Sequence, residues 1–182
     1  EIEQITDITQ TIKDKKMSEV LFITRNDIVR YSNLNGAVDS DKMIQFIKLA
    51  QDIHLETVLG TDLMNRLKSD IEAGTLTDPY LTLLNKYIKP MLIHYSLLEI
   101  IPFNAYQISN GGIFKHNSEN SESVSKSEVD FLAEKHRKIA QNYRERFIKH
   151  VLNDSSRYPE YNSNSGEDIY PSKDNFFNGW VL

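Results

Sequence analysis

The chain has no cysteine. Disulfides and thiolate metal sites are therefore excluded, and the fold has to be held by apolar burial; the same absence is compatible with a reducing compartment. It also lacks a basic excess. The formal net charge is −5, with five acids against three lysines in residues 1–19, five acids against two bases in 154–182, and sixteen of each sign between. A dedicated nucleic-acid binder gains its affinity from neutralised phosphates and carries a basic surplus, which the balanced body does not supply. Glycine and proline are sparse, at seven and five, so each reads as a deliberate break. The N-terminal stretch given is acidic and carries no apolar h-region, so no signal peptide is expected in it. The most apolar stretch, Pro79 to Phe103, is interrupted by Lys86, Lys89, His94 and Glu99, whereas a membrane span needs about 20 consecutive mostly apolar residues.

That stretch organises the rest. Leu81, Leu83, Leu84, Tyr87, Ile88, Met91, Leu92, Tyr95, Leu98 and Ile101 occupy nearly every side of a helical wheel. A helix apolar on most sides must be covered on most sides. The pattern predicts the central helix of a soluble bundle, capped by Asp78 with Pro79 in its first turn, kinked at Pro90 and ended by Pro102. At 182 residues one domain with appendages is expected.

The neighbouring segments supply the cover. Ile2, Ile5, Ile8 and Ile12 mark a narrow stripe on a short N-terminal helix, marginal alone. Val20–Ile23 reads as extended, and Thr24 with Asp27 resembles a capping box opening a helix to about Ser32. Asn33–Gly36 breaks it. Ser40 caps a helix whose apolar face is Met43, Ile44, Phe46, Ile47, Ala50, Ile53 and His54. Gly60 interrupts, Thr61 caps the next helix with Leu63, Met64, Leu67 and Ile71, and Gly74 stops it. Between 103 and 126, Tyr106–Ser109 and Ile113–His116 alternate around Asn110-Gly111-Gly112, a hairpin signal. Ser127 with Asp130 opens a last helix to about Leu152, striped by Leu132, His136, Ile139, Tyr143, Phe147 and Val151, with Lys138, Arg144, Glu145 and Lys149 opposite. Pairs Glu134–Lys138 and Glu145–Lys149 would support it. The expected fold is mostly α: a bundle of four to five helices over 20–153, a small hairpin insertion within 103–126, an extension at 1–19 and an extended tail at 154–182.

Two segments expose too much apolar surface to stand free. The hairpin carries Ile108, Ile113 and Phe114, and a two-stranded hairpin is barely stable alone. The tail carries Tyr158, Tyr161, Ile169, Tyr170, Phe176, Phe177 and Trp180 without any period. These ten residues are the candidate interface set, with the tail expected to lie in extended form on another subunit. No catalytic, cofactor or metal residue is assigned. The five histidines, His54, His94, His116, His136 and His150, never adopt a metal-ligand spacing, and His94 and His136 fall on helix faces that look buried. No nucleophile elbow, P-loop or dinucleotide fingerprint is present. Acidic pairs at presumed helix starts answer the helix dipole. The basic face Lys135, Arg137, Lys138, Arg144 and Arg146 is interleaved with Glu134 and Glu145.

The order of parts resembles a known family. L-F-I-T-R-N-D-I (from Leu21), D-S-D-K-M-I-Q-F-I-K-L-A-Q (from Asp39), L-E-T-V-L-G-T-D-L-M-N-R-L (from Leu55), a long apolar helix, an irregular insertion and a last helix ending near R-Y-P-E-Y together resemble the head–tail connector, or adaptor-ring, proteins of tailed bacteriophages. The variety most resembled is the ring protein under the portal of crAss-like phages. The similarity runs from about Val20 to Tyr161 and rests on helix pattern and the Leu59–Leu63 turn, not on a chemical motif. It implies a non-enzymatic virion protein, made in the host cytoplasm and placed at the portal vertex between capsid and tail. Its partners would be copies of itself in a dodecameric ring, the portal protein and downstream tail or ring proteins, with double-stranded DNA passing without sequence-specific contact and no membrane. The alternative class is a helical DNA-binding or regulatory module using the basic face of the last helix; an enzyme with a scattered site is the third.

Overall fold

The computed structural model describes residues 20–32, 40–104, 106–109, 112–115, 125–163, 165–166 and 168–173. The N-terminal isoleucine stripe, the Asn33–Gly36 break, the Asn110-Gly111 apex and the Phe176, Phe177 and Trp180 anchors lie outside them. The protein is mostly α. Its helices are α1 (Arg25–Tyr31), α2 (Ser40–Ala50), α3 (Glu56–Leu59), α4 (Thr61–Ala73), α5 (Tyr80–Leu83), α6 (Lys89–Asn104) and α7 (Lys126–Asn153). A π turn, Gln51–Leu55, joins α2 to α3, and another, Leu84–Ile88, joins α5 to α6. The described residues thus form five helical rods. A four-residue antiparallel ladder, Tyr106–Ser109 (β1) with Gly112–Lys115 (β2), follows α6.

Local chemistry sets the ends. Thr24 accepts from the Asp27 N–H at 3.3 Å while the Asp27 carboxylate accepts from the Thr24 N–H at 2.7 Å, the reciprocal box that starts α1. Gln51, wholly buried, clips the preceding segment: its amide oxygen accepts from the Phe22 N–H and its NH₂ donates to the Val20 carbonyl, both at 2.9 Å. The backbone of an edge segment is thereby satisfied by a side chain. Gly74, at φ 66°, adopts the left-handed cap that ends α4.

Several expectations are corrected. Pro90 lies in the first turn of α6, directly after a π turn that was not expected. It cannot donate to the carbonyl four residues back, and the π turn over Leu84–Ile88 absorbs the mismatch by widening the coil just upstream. Pro102 does not end the helix, which runs on two residues to Asn104, although its ring nitrogen has no N–H to give the Leu98 carbonyl. Asp78 does not sit at the N-cap, because α5 starts only at Tyr80, but its carboxylate accepts from the Thr82 N–H at 3.1 Å and serves the same orphan donor. Thr61 is the first residue of α4, behind a Gly60 cap. The box opening α7 is Ser125 with Glu128, two residues before the expected pair, the glutamate reaching the Ser125 N–H at 2.8 Å. Ile44 on α2 and Ile53 on the π turn after it face outward, while Met43, Ile47 and Ala50 are fully buried.

The core gathers around the central rod. Leu83, Ile88, Met91 and Leu92 are fully buried, as are Ile28, Met43, Ile47, Leu59, Leu63, Leu67, Phe147 and Val151 from the rods around it. Helices α6 and α7 form the main interface, and α2 packs on the other side of α6. The two ring pairs Tyr87–His150 and His94–His136 show that α6 and α7 run antiparallel. The buried stripe of α7 is Val129, Ala133, Ala140, Arg144, Phe147, Ile148 and Val151. Leu132 is exposed, and Glu134 pairs with Arg137 at 3.0 Å, one turn away, where Lys138 was expected.

Candidate functional site

The tail from Asp154 to Lys173 folds back on its own bundle. Two 3₁₀ turns, Ser155–Arg157 and Pro159–Asn162, place Tyr158 and Tyr161 in the core at 1% and 0% exposure. These two residues were expected on a partner; the chain buries them itself. Tyr158 meets Tyr80 edge-on at 5.7 Å, and its hydroxyl shares a 3.1 Å hydrogen bond with His150 Nε2. Tyr161 packs edge-on against Phe147 at 5.7 Å. Glu160 between them accepts from the Tyr80 hydroxyl at 2.5 Å and from Arg66 Nη1 at 3.2 Å. Burial and the adjoining carboxylate hold the Tyr80 hydroxyl in its protonated, donating form. A tail this close in sequence to α7 closes a short loop, so the entropic cost of docking on its own chain is small.

Beyond Asn162 the chain becomes a strap across α3, Gly60 and α4. Asp62 in the first turn of α4 accepts from Ser163 Oγ at 2.6 Å, from the Ser165 N–H at 2.9 Å and from Ser165 Oγ at 3.0 Å. The Ser163 hydroxyl, first among these, holds the carboxyl below its ordinary range. The Thr61 N–H donates to the Ile169 carbonyl at 3.0 Å, and Thr61 Oγ1 accepts from the Ile169 N–H at 3.2 Å. Pro171 lies on Gly60 so closely that a Cβ there would stand 2.5 Å from its ring. The Ser172 N–H donates to the Thr57 carbonyl at 2.9 Å, and Arg144 Nη2 donates to the Ser172 carbonyl and hydroxyl at 3.2 and 3.1 Å. Ile169 and Tyr170 stay 42% and 49% exposed.

Arg144 is the residue that sequence reasoning misplaced. It was assigned to the charged face opposite the apolar stripe and is 6% exposed, turned inward to clamp the strap. Counting Ala140 with Phe147 and Val151 as one face puts Arg144 on it, so the pattern held the signal. Of the remaining bases, Arg137 is paired with Glu134 and Arg146 lies over the Tyr143 ring at 5.3 Å. Ile108 is the Cα partner of Ile113 in the ladder, and Gln107 of Phe114.

Two of the histidines pair with each other. His94 Nδ1 lies 3.0 Å from His136 Nδ1 across the α6–α7 interface, so one imidazole donates and the other accepts. Burial first, and the neighbouring ring second, push His94 down to about 4, and burial lowers His136 as well. His94, without its partner, lines a cleft of about 520 Å³ with Asp27, Asn85, Lys89 and Tyr143, beside the π turn. His54 bonds Glu99 at 2.8 Å and stacks on Tyr95. Among the described residues no group of three or more histidine or carboxylate side chains is arranged to hold a metal, and no helix is long and apolar enough to cross a membrane.

What the fold and surface define is a helical bundle with a self-docked tail and several exposed apolar side chains. Comparison with known proteins adds a family: residues 55–170 match the model of DUF6712, described as a family of unknown function, and the chain belongs to it. The match begins at the π turn and ends on the strap, so it spans both sides of the Thr61–Ile169 contact. No curated protein and no solved structure matches the chain.

Proposed function

We propose that this protein is a structural subunit of a tailed-phage virion, forming a ring that joins the portal to the tail and lengthens the DNA channel. The resemblance of residues 20–161 motivates this reading. The observation that carries it is the end of the bundle where α6 leaves and α7 begins. Phe103, Phe131 and Leu132 are 52%, 71% and 47% exposed there, and the β1–β2 ladder departs from the same end. Large apolar side chains left in water at one end, beside a hairpin that is marginal alone, favour a protein–protein interface. The hairpin then acts as an arm onto a neighbour through Ile108, Ile113 and Phe114, and Ile169 and Tyr170 offer a second contact. A body with balanced charge lets DNA pass without holding its phosphates.

Imaging of the intact particle tests this reading: a ring of this protein between portal and tail is expected, and finding it as internal cargo or on the outer capsid surface overturns it. The DNA-binding alternative has less to stand on, since Arg144 is turned inward and Arg137 and Arg146 are engaged along the helix. It predicts duplex affinity falling steeply with salt; the ring reading predicts little affinity for free duplex at any salt.

A further inference from the structure

We propose that the outer face formed by the end of α2 and the π turn after it, carrying Leu49 and Ile53, is a docking site for this chain's own C-terminal segment, with Phe176, Phe177 and Trp180 as the side chains that cover it. The motivation is the path of the strap. Its contacts step backwards along the chain, Ile169 on Thr61 at the start of α4, Pro171 on Gly60 and Ser172 on Thr57, and the last of them reaches the rod made by α2, the π turn and α3. The next exposed residues along that rod, one and two turns further back from Thr57, are Ile53 and Leu49, at 53% and 36% exposure. Both are apolar, and Thr57 Oγ1 donates to the Ile53 carbonyl at 3.1 Å. The strap therefore heads for an uncovered apolar stripe, and the residues that follow it in sequence are the aromatic ones.

The lengths agree. Helical rise puts Ile53 about 6 Å and Leu49 about 12 Å from Thr57. Phe176 follows Ser172 by four residues, an extended reach of at most about 14 Å, and Trp180 follows by eight, about 28 Å. The aromatic residues thus come well within reach of the stripe on the chain whose own strap already arrives one turn from Ile53, which favours the same chain over a neighbour, whose stripe would lie a subunit away. The flanks are also settled: Lys48 and Asp52 pair with each other at 3.0 Å and leave no lone charge on the stripe. The inference goes beyond the ring reading and stands or falls without it.

Trp180 is the single tryptophan and no cysteine is present, so two clean probes exist. In the full-length monomer, Trp180 emission should be blue-shifted and shielded from acrylamide, independent of protein concentration. Ile53→Asp, at an exposed site, should leave the helical circular dichroism unchanged while shifting the emission to the red and raising the quenching constant several-fold. For proximity, Ile53→Cys with Phe177→Cys should be joined by a short bis-maleimide within one chain, and Leu152→Cys with Phe177→Cys should not. A wet indole in the wild type, an emission indifferent to Ile53→Asp, or equal crosslinking of both cysteine pairs overturns the proposal. Crosslinks found only between chains, with shielding that grows with concentration, also overturn it and assign the stripe to a second copy's tail.

Discussion

Tyr161 shows how much one atom can differ from the rest of its side chain. The ring is fully buried against Phe147, yet its hydroxyl has no hydrogen-bond partner among the described residues, and burial pushes its pKa up to about 12. Removing an unsatisfied buried hydroxyl relieves a desolvation cost. Tyr161→Phe should therefore be neutral or stabilising by up to about 1 kcal/mol, whereas Tyr161→Ala should cost about 3–5 kcal/mol in urea unfolding. Tyr158→Phe should behave oppositely to Tyr161→Phe and lose about 0.5–1.5 kcal/mol, because its hydroxyl does bond His150. The His94–His136 pair makes stability depend on pH. Both folded pKa values lie below the ordinary histidine value, so the unfolded chain binds more protons than the folded one in acid. The contribution is complete above about pH 6.5 and declines as pH falls toward about 4, by at most about 1.4 kcal/mol per pH unit for each group. Replacing both residues by glutamine should flatten the melting temperature against pH in that window relative to the wild type; an unchanged profile would mean that the pair titrates normally.

At the scale of elements, the strap and Gly60 are one device. Gly60 combines φ 77° with ψ 156°, a backbone region nearly restricted to glycine, and its bare Cα receives Pro171. Gly60→Ala thus meets two obstacles, backbone strain of about 1–3 kcal/mol and a clash with the proline ring. The expected result is a strap lifted from α3 and α4 while the helices persist: faster amide exchange at Ile169 and Ser172, with little change in the core. Arg144→Leu tests the other side of the clamp. It removes two hydrogen bonds from a charged donor, worth about 1.5–3 kcal/mol for such groups, and should free the same amides. Uniform destabilisation in both variants, with no selective exchange, would show that the strap is part of the global folding unit.

For the whole molecule, the useful prediction concerns the apolar end. Phe131→Asp with Leu132→Asp changes two exposed residues, so the isolated chain should keep its fold to within about 0.5 kcal/mol. If that end is the assembly face, the variant should fail to enter particles or rings in a complementation assay scored by electron microscopy; normal incorporation would move the interface elsewhere. The five rods, the Thr24 box, the Gly74 stop and the core face of α4 were all legible beforehand. Each is written in spacing or in a cap within a few residues of where it acts. The register of α7 and the side taken by Arg144 were less legible, because alanine and the stem of arginine pack against a core as well as leucine does when the neighbouring helix is close.

The sequence by itself determined the class: cysteine-free, without a basic excess and mostly α, built on the apolar rod from Tyr80 to about Ile101, because helical period and capping act locally. It also marked the tail as rich in anchors. Only the tertiary structure decided where those anchors go. Tyr158 and Tyr161 were expected on a partner and sit in the chain's own core. Their pockets are made by Tyr80, Phe147 and His150, and the strap beyond is held by Thr57, Thr61 and Arg144, residues up to about a hundred positions away in sequence. Long-range complementarity of that kind has no period to read. It exists once the rods have packed and offer unpaired carbonyls, a bare glycine and an inward guanidinium on one face.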